Sequence, residues 1–272
     1  TAFQIRLKLR VRIMPNKTLG QHFLNDNNIL NLIADSALIQ PEDFVVEIGP
    51  GKGSLTRVLA ERTVKLTAIE LDSSLSDSLK REFGPNVQIL NADARNFDPA
   101  TLFKKTDRYI LLGNLPYYAA LPILRSFLES ERPPIRIVAL VQREVAKLLC
   151  AEPGSMSLIS VAFQVYGHLK ILRNVKPGSF VPPPKVTSSI ITVELRSDYL
   201  ERIKNKRDFF QIVKAGFHSP RKQLKNSIAS SMGLSGSEII EMMNRAKVNP
   251  SRRAETLSID EWISLHLSSM ET

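Results

Sequence analysis

Two spacings of apolar residues alternate from about residue 28 to residue 195. Short continuous runs at 44–48, 66–69, 87–90, 109–112 and 135–141 have the length and the Val/Ile/Leu content of strands buried on both faces. Between them, apolar residues recur three and four apart at 28–39, 54–62, 73–83, 143–149 and 158–166, which predicts helices, with Ser54 as an N-cap. Strand and helix in turn predict an α/β fold, a parallel sheet with helices on both faces. Runs at 169–175 and 189–195 also read as strands. No long helix separates them, so they predict an antiparallel edge.

The pattern changes near residue 198. Beyond it no strand signal remains, and 207–217, 222–231, 237–245 and 259–267 read as short helices. Three parts are therefore expected: a basic arm at 1–16, an α/β domain at 17–197 and a small all-helical domain at 198–272.

Charge narrows the partner. The 272 residues carry a net charge of +10, which favours a polyanion, with nucleic acid first. Residues 202–225 hold eight Lys/Arg and one acid, Asp208. Arg221, Lys222 and Lys225 are the expected RNA contacts there. Residues 1–17 hold five bases and no acid, an arm for phosphate or the remnant of an organelle-targeting segment. Cys150 is the single cysteine, so no internal disulfide can form, which fits a reducing compartment such as the cytoplasm. No apolar stretch approaches the roughly 18 residues that span a bilayer. A monomer is expected.

Candidate chemistry sits where the strand runs end. Glu47-Ile48-Gly49-Pro50-Gly51-Lys52-Gly53 follows the first run and precedes a helix, so glycines there allow a sharp turn and close approach to a ligand. Glu70 ends the second run, 21 residues after Gly49, where an acid can accept from a ribose diol. A dinucleotide fingerprint would place a third glycine at 54, but Ser54 stands there. S-adenosylmethionine has no pyrophosphate and suits this turn better. Asp93 closes the third run and can accept from an adenine amino group, although acids also cap helices at such places.

Asn114-Leu115-Pro116-Tyr117 follows the run 109–113 on the same rim. The amino nitrogen of adenine is a poor nucleophile because its lone pair is delocalised. Acceptors around its protons, the Asn114 side-chain oxygen and a carbonyl at Leu115 or Pro116, favour the tetrahedral form that attacks. Tyr117 offers a stacking face, worth about 1–3 kcal/mol per base. Phe180, before Val181-Pro182-Pro183-Pro184-Lys185, is expected to stack on the other side of a base lifted from its helix. A buried loop anchor is the alternative for it. Other chemistries fall away. Cys150 sits late in a helix, no Cys-x-x-Cys exists, and His22, His168, His218 and His266 lack metal-ligand spacing, so no metal is expected. No P-loop is present.

These pieces resemble the rRNA adenine N6-dimethyltransferase family, specifically its small-subunit members. The matching text is Lys17-Thr18-Leu19-Gly20-Gln21-His22-Phe23-Leu24, the glycine turn, Glu70-Leu71-Asp72, Asp93-Ala94, Asn114 to Tyr117 and Phe180 to Lys185. Phe217 to Lys222 and Arg253 to Ser258 are similar to the family's helical domain. The resemblance implies a Rossmann-like S-adenosylmethionine-dependent methyltransferase sheet with a C-terminal helical domain. It implies His22 and Leu24 at the methionine end of the cofactor, Gly49 and Gly51 beneath it, Glu70 at the ribose and Asp93 at the adenine. Asn114, Leu115, Pro116 and Tyr117 would hold the target base with Phe180 opposite. The substrate implied is small-subunit rRNA in an immature small ribosomal subunit, two methyls going to each of two adjacent adenosines. The chain departs from the family at Tyr118-Ala119-Ala120-Leu121, where a polar and hydroxyl-rich stretch is usual, and at Ser219-Pro220 before Arg221.

Three alternatives remain on the residues: a macrolide-resistance type acting on large-subunit rRNA, a non-catalytic ribosome assembly factor, and a DNA adenine methyltransferase. The last normally has a proline at the place of Leu115. The Phe180–Lys185 loop and the tail favour the small-subunit kind, and intact cofactor residues argue against lost catalysis.

Overall fold

The structure, a computed structural model, describes residues 22–270. The basic arm and Lys17 to Gln21 lie outside the described residues. In chain order the elements are β1 (Phe23–Leu24), α1 (Asn27–Ser36), β2 (Phe44–Ile48), α2 (Ser54–Ala60), β3 (Leu66–Glu70), α3 (Ser73–Phe83), β4 (Gln88–Asn91) and β5 (Tyr109–Asn114). There follow α4 (Ala120–Leu128), β6 (Arg136–Gln142), α5 (Arg143–Leu149), α6 (Leu158–Gln164), β7 (Gly167–Val175), β8 (Phe180–Val181) and β9 (Ser188–Leu195). Helices α7 (Asp198–Arg202), α8 (Lys206–Gly216), α9 (Leu224–Met232), α10 (Gly236–Arg245) and α11 (Ile259–Ser269) complete the described chain.

Seven strands form one sheet in the order β4-β3-β2-β5-β6-β9-β7, and the five from β4 to β6 are parallel. β9 runs antiparallel to β6, and β7 lies beyond β9 at the sheet edge. Apolar runs rather than alternating ones make this sheet because both faces are buried. Val45, Leu66, Ala68, Ile110, Leu112, Val138, Leu140 and Ile190 face a core shared with Ile33 of α1, Leu59 of α2 and Leu79 of α3. Their alternates Val46, Ile69, Leu111, Ile137 and Val193 are as deeply buried on the other side.

Parallel strands end on one rim, so the chain leaves β2, β3 and β5 for a helix or a turn at the same edge. Gly113 lets β5 lie close to β2 there, since a Cβ at Gly113 would collide with the Ile48 carbonyl. The helix after β2 begins differently from the sequence expectation. Gly53, in the left-handed region at φ 78°, is the N-cap, and Ser54 is the first helical residue. A residue that must turn left-handed at that point favours glycine over a capping serine. α4 was not foreseen. Its apolar positions Leu121, Leu124 and Leu128 have helical spacing, and Pro122 sits in the first turn, where its missing N–H costs nothing.

Among the described residues two compact units result: residues 22–147 with 168–195, and residues 148–167 with 196–270. The first holds the sheet. The second is helical, with Trp262 and Phe209 fully buried in its core. No described helix is long and apolar enough to cross a membrane.

Candidate active site

The glycine turn is built by three left-handed residues, Gly49 (φ 66°), Gly51 (φ 58°) and Gly53. A Cβ on Gly51 would come within 2.9 Å of the Phe23 ring, so the turn admits no side chain where β1 crosses it. Lys52 Nζ lies 4.9 Å from the centre of the same ring. At Gly49 the turn faces the tetrapeptide: a Cβ there would stand 3.6 Å from the Asn114 carbonyl oxygen.

Glu70 is buried at the end of β3 and anchors the turn. Its Oε2 accepts from the Gly51 N–H at 3.0 Å and its Oε1 from the Asp72 N–H at 2.9 Å. A carboxylate has about four acceptor positions. Glu70 therefore keeps acceptor capacity on both oxygens, as a ribose diol needs. Glu47, in β2 below the turn, is also buried, and burial pushes its carboxyl up to about 8, with the Glu70 charge adding to the rise. Thr56 lies beside it and pulls the other way, but neither Thr56 Oγ1 nor Glu47 Oε2 has a hydrogen bond of ordinary geometry among the described residues. The hydroxyl thus relieves little of the burial.

Asp93 stands two residues beyond β4. Arg95 surrounds its carboxylate: Oδ1 accepts from the Arg95 N–H at 2.9 Å and from Nε at 2.9 Å, and Oδ2 from Nε at 3.0 Å and from Nη2 at 2.5 Å. Those hydrogen bonds hold the Asp93 carboxyl below its ordinary range.

Asn114 ends β5. Its Nδ2 donates to the His22 carbonyl at 2.9 Å. A carbonyl only accepts, so this bond settles the amide orientation and leaves Oδ1 as the acceptor end. Leu115 is buried and its N–H donates to the Leu140 carbonyl at 3.1 Å. The Pro116 carbonyl already accepts from the Ala119 N–H at 2.9 Å, whereas no described hydrogen bond uses the Leu115 carbonyl. Tyr117 is half-buried, its hydroxyl 2.7 Å from Ser188 Oγ at the start of β9, and burial raises its phenol pKa. Its ring centre lies 6.0 Å from that of His22.

A strap joins two segments far apart in sequence. Phe23 pairs with Val181 and Leu24 with Phe180. The Asn25 N–H donates to the Ser179 carbonyl at 2.9 Å, Ser179 Oγ donates to Asp26 Oδ2 at 2.9 Å, and His22 Nδ1–H donates to the Pro182 carbonyl at 2.8 Å. Asp26 also caps α1 through the Asn28 and Ile29 N–H groups. The strap corrects one expectation. Phe180 is 2% exposed and lies in the apolar cluster with Leu24, Ile33 and Ile190, so it anchors the strap and presents no open stacking face. Strand pairing with β1 turns the ring inward. Leu24 is buried in the same cluster.

In the helical unit, Arg221 and Lys222 are exposed in the turn before α9, and Lys225 is half-buried in its first turn. Among the described residues no group of His, Cys, Asp and Glu has the arrangement of a metal site.

A model of the ribosomal RNA adenine dimethylase family matches residues 14–269. The chain belongs to that family. A relative named ribosomal RNA small subunit methyltransferase A, from Desulfitobacterium hafniense, is 46% identical over 91% of this chain and 89% of its own. One of the same name from Dehalococcoides mccartyi is 40% identical over 94% of this chain and 88% of its own. Two solved structures share the fold. A dimethyladenosine transferase from Plasmodium falciparum matches with TM-score 0.80 at 22% identity, over 92% of this chain and 98% of its own. The 23S rRNA methyltransferase ErmE matches with TM-score 0.72 at 24% identity, over 90% and 98%. As a ribosomal RNA adenine dimethylase the chain is an α/β methyltransferase, as its strand pattern and turn predict.

Three residues of this dimethylase site were not singled out from sequence. Ser188 holds Tyr117, Phe23 covers the turn, and Arg95 holds Asp93. Phe23 and Arg95 sit inside or beside the quoted motifs, which is the signal that would have found them. Ser188 carries none. The unusual Tyr118-Ala119-Ala120-Leu121 also has a structural account. Tyr118 is exposed, while Ala119, the N-cap of α4, and Ala120 and Leu121, its first two residues, are buried.

Proposed function

We propose that this protein transfers two methyl groups to N6 of each of two adjacent adenosines near the 3′ end of small-subunit rRNA, in the immature subunit, with S-adenosylmethionine as donor. The observation that carries this reading is the approach of the left-handed Gly49 of the turn to the Asn114 backbone carbonyl, beside a side-chain amide whose acceptor end is set. The turn and its acids fit the cofactor. Glu70 has spare acceptor positions for a ribose, and Asp93 is a carboxylate on the next strand end. When bound, S-adenosylmethionine supplies an activated methyl on a sulfonium and leaves as a neutral thioether.

The chain's own part is to hold the amino group. Asn114 Oδ1 and the Leu115 carbonyl accept the two amino protons, which favours a tetrahedral nitrogen whose lone pair is no longer conjugated with the ring. Tyr117, tethered by Ser188, gives the base a fixed face, while Phe180 and Leu24 hold the strap that seats His22 against Asn114. Positioning of this kind lowers the barrier without a strong base, and the displaced amino proton passes to water. Arg221, Lys222 and Lys225 meet RNA phosphates. The relatives named small subunit methyltransferase A favour small-subunit rRNA as the target.

Incubation of the protein with labelled S-adenosylmethionine and immature small subunits, followed by nucleoside mass spectrometry, is expected to yield N6,N6-dimethyladenosine. Label in large-subunit RNA or DNA alone would overturn the assignment. Asn114→Ala is expected to abolish transfer and leave RNA binding nearly intact, and unchanged transfer would remove Asn114 from the mechanism.

A further inference from the structure

Arg95 occupies the carboxylate that the proposed cofactor reading assigns to adenine. Asp93 offers about four acceptor positions. Arg95 fills them with its backbone N–H, a shared Nε–H and Nη2–H. An adenine amino group arriving at Asp93 finds no empty lone pair, so it must replace a donor. The one held most loosely is Nε–H, which is split between both oxygens at 2.9 and 3.0 Å. Both side chains are partly solvated, 26% exposed for Asp93 and 42% for Arg95, so the guanidinium has room to turn without disturbing the core.

We infer that Arg95 is a displaceable latch at the adenine end of the site: it satisfies Asp93 when the site is empty, yields to the adenine amino group on binding, and returns to expel the spent cofactor. The inference rests on the S-adenosylmethionine reading. It also gives that reading a kinetic element. Four transfers require four cofactor exchanges, and release of product limits many enzymes. A competitor within the site weakens the complex with S-adenosylhomocysteine, the thioether product, and speeds exchange. Because Arg95 is two residues from Asp93 along one turn, its return costs little chain entropy.

Calorimetry with S-adenosylhomocysteine and with its 6-desamino analogue, on wild type, Arg95→Met and Arg95→Lys, tests the latch. Arg95→Met is expected to bind S-adenosylhomocysteine about three- to tenfold tighter, the range of one charge-assisted hydrogen bond at a part-solvated site. Affinity for the analogue, which has no amino group to displace the guanidinium, is expected to stay constant across the three proteins. Arg95→Lys is expected to fall between. In kinetics, Arg95→Met should slow repeated turnover more than the first transfer of a single turnover. Equal or weaker binding of S-adenosylhomocysteine by Arg95→Met would overturn the latch and make Arg95 a plain support for Asp93. The same shift for both ligands would overturn it too, by removing the amino contact. Should wild type bind no S-adenosylhomocysteine, the cofactor reading fails and the latch falls with it.

Discussion

Glu47→Gln tests whether the carboxyl beneath the glycine turn is held uncharged. Glu47 is 1% exposed in β2, its Oε2 has no hydrogen-bond partner among the described residues, and burial raises its pKa from 4.5 to about 8. The sign follows from proton counting. Between 4.5 and about 8 the folded protein keeps the proton that the unfolded chain has lost, so stability falls as pH rises. Each pH unit in that window costs about 1.4 kcal/mol. By pH 7.5 the accumulated loss is about 4 kcal/mol, comparable to the whole stability of many domains. Glutamine has the same shape and no charge in either state, so it escapes the loss. Urea unfolding followed by far-ultraviolet circular dichroism should find the two proteins within about 1 kcal/mol of each other at pH 4.5. At pH 7.5 Glu47→Gln should be more stable by about 4 kcal/mol. Parallel pH profiles for the two proteins, or a variant less stable at pH 7.5, would refute the claim that Glu47 is buried neutral.

Gly113→Ala should destabilise the sheet unit by about 1–3 kcal/mol, because its Cβ meets the Ile48 carbonyl and β5 must move from β2; a loss under about 0.5 kcal/mol in urea unfolding would contradict that contact. Replacing Arg221, Lys222 and Lys225 with alanine should reduce the slope of log binding constant against log salt by about 2–3 for duplex RNA, roughly one for each phosphate no longer neutralised, and an unaltered slope would place the RNA elsewhere. His266 is fully buried with neither ring nitrogen partnered among the described residues, and burial lowers its pKa from 6.5. The unfolded chain therefore takes up a proton first, and stability of the helical unit should be full above pH 6.5 and decline as pH falls below it. Fluorescence of Trp262, the single tryptophan and wholly buried in that unit, reports the transition, and an equal decline in His266→Leu would show that another group titrates.

Much of the strand framework was legible because a sheet buried on both faces leaves unbroken apolar runs, and these need no knowledge of neighbours. The runs at 44–48 and 109–112 coincide with β2 and the body of β5. The places of Gly49, Glu70, Asp93 and Asn114 at or just beyond strand ends were legible for one shared reason: parallel strands deliver their C-terminal ends to one rim. α4 was missed although its spacing is helical, since Pro122 reads as a breaker until its place in the first turn is known. The strap was beyond local reading, because its two halves are about 160 residues apart and β1 and β8 have two residues each. Phe180 was misjudged for that same reason. An aromatic before three prolines carries no mark of which way it faces, and its direction comes from a partner strand at the other end of the domain.

Non-local placement also explains how the two halves of the site are kept in step. Asn114 is not oriented by its own strand. Its amide direction comes from the His22 carbonyl, and the His22 ring is bonded to Pro182 in the loop that carries Phe180. Phe23, between His22 and the buried Leu24, lies against Gly51 of the turn, whose N–H is held by Glu70. His22 and the two-residue strand that follows it thus touch the tetrapeptide on one side and the turn on the other. The acceptor for the amino group and the seat for the cofactor are therefore positioned by one element, so a change that loosens the strap should disturb both together. Phe180→Ala, which removes the strap's buried anchor and opens a cavity costing about 3–5 kcal/mol of stability, should weaken S-adenosylhomocysteine binding as well as transfer. Loss of transfer with cofactor affinity unchanged would show instead that Phe180 acts on the base alone.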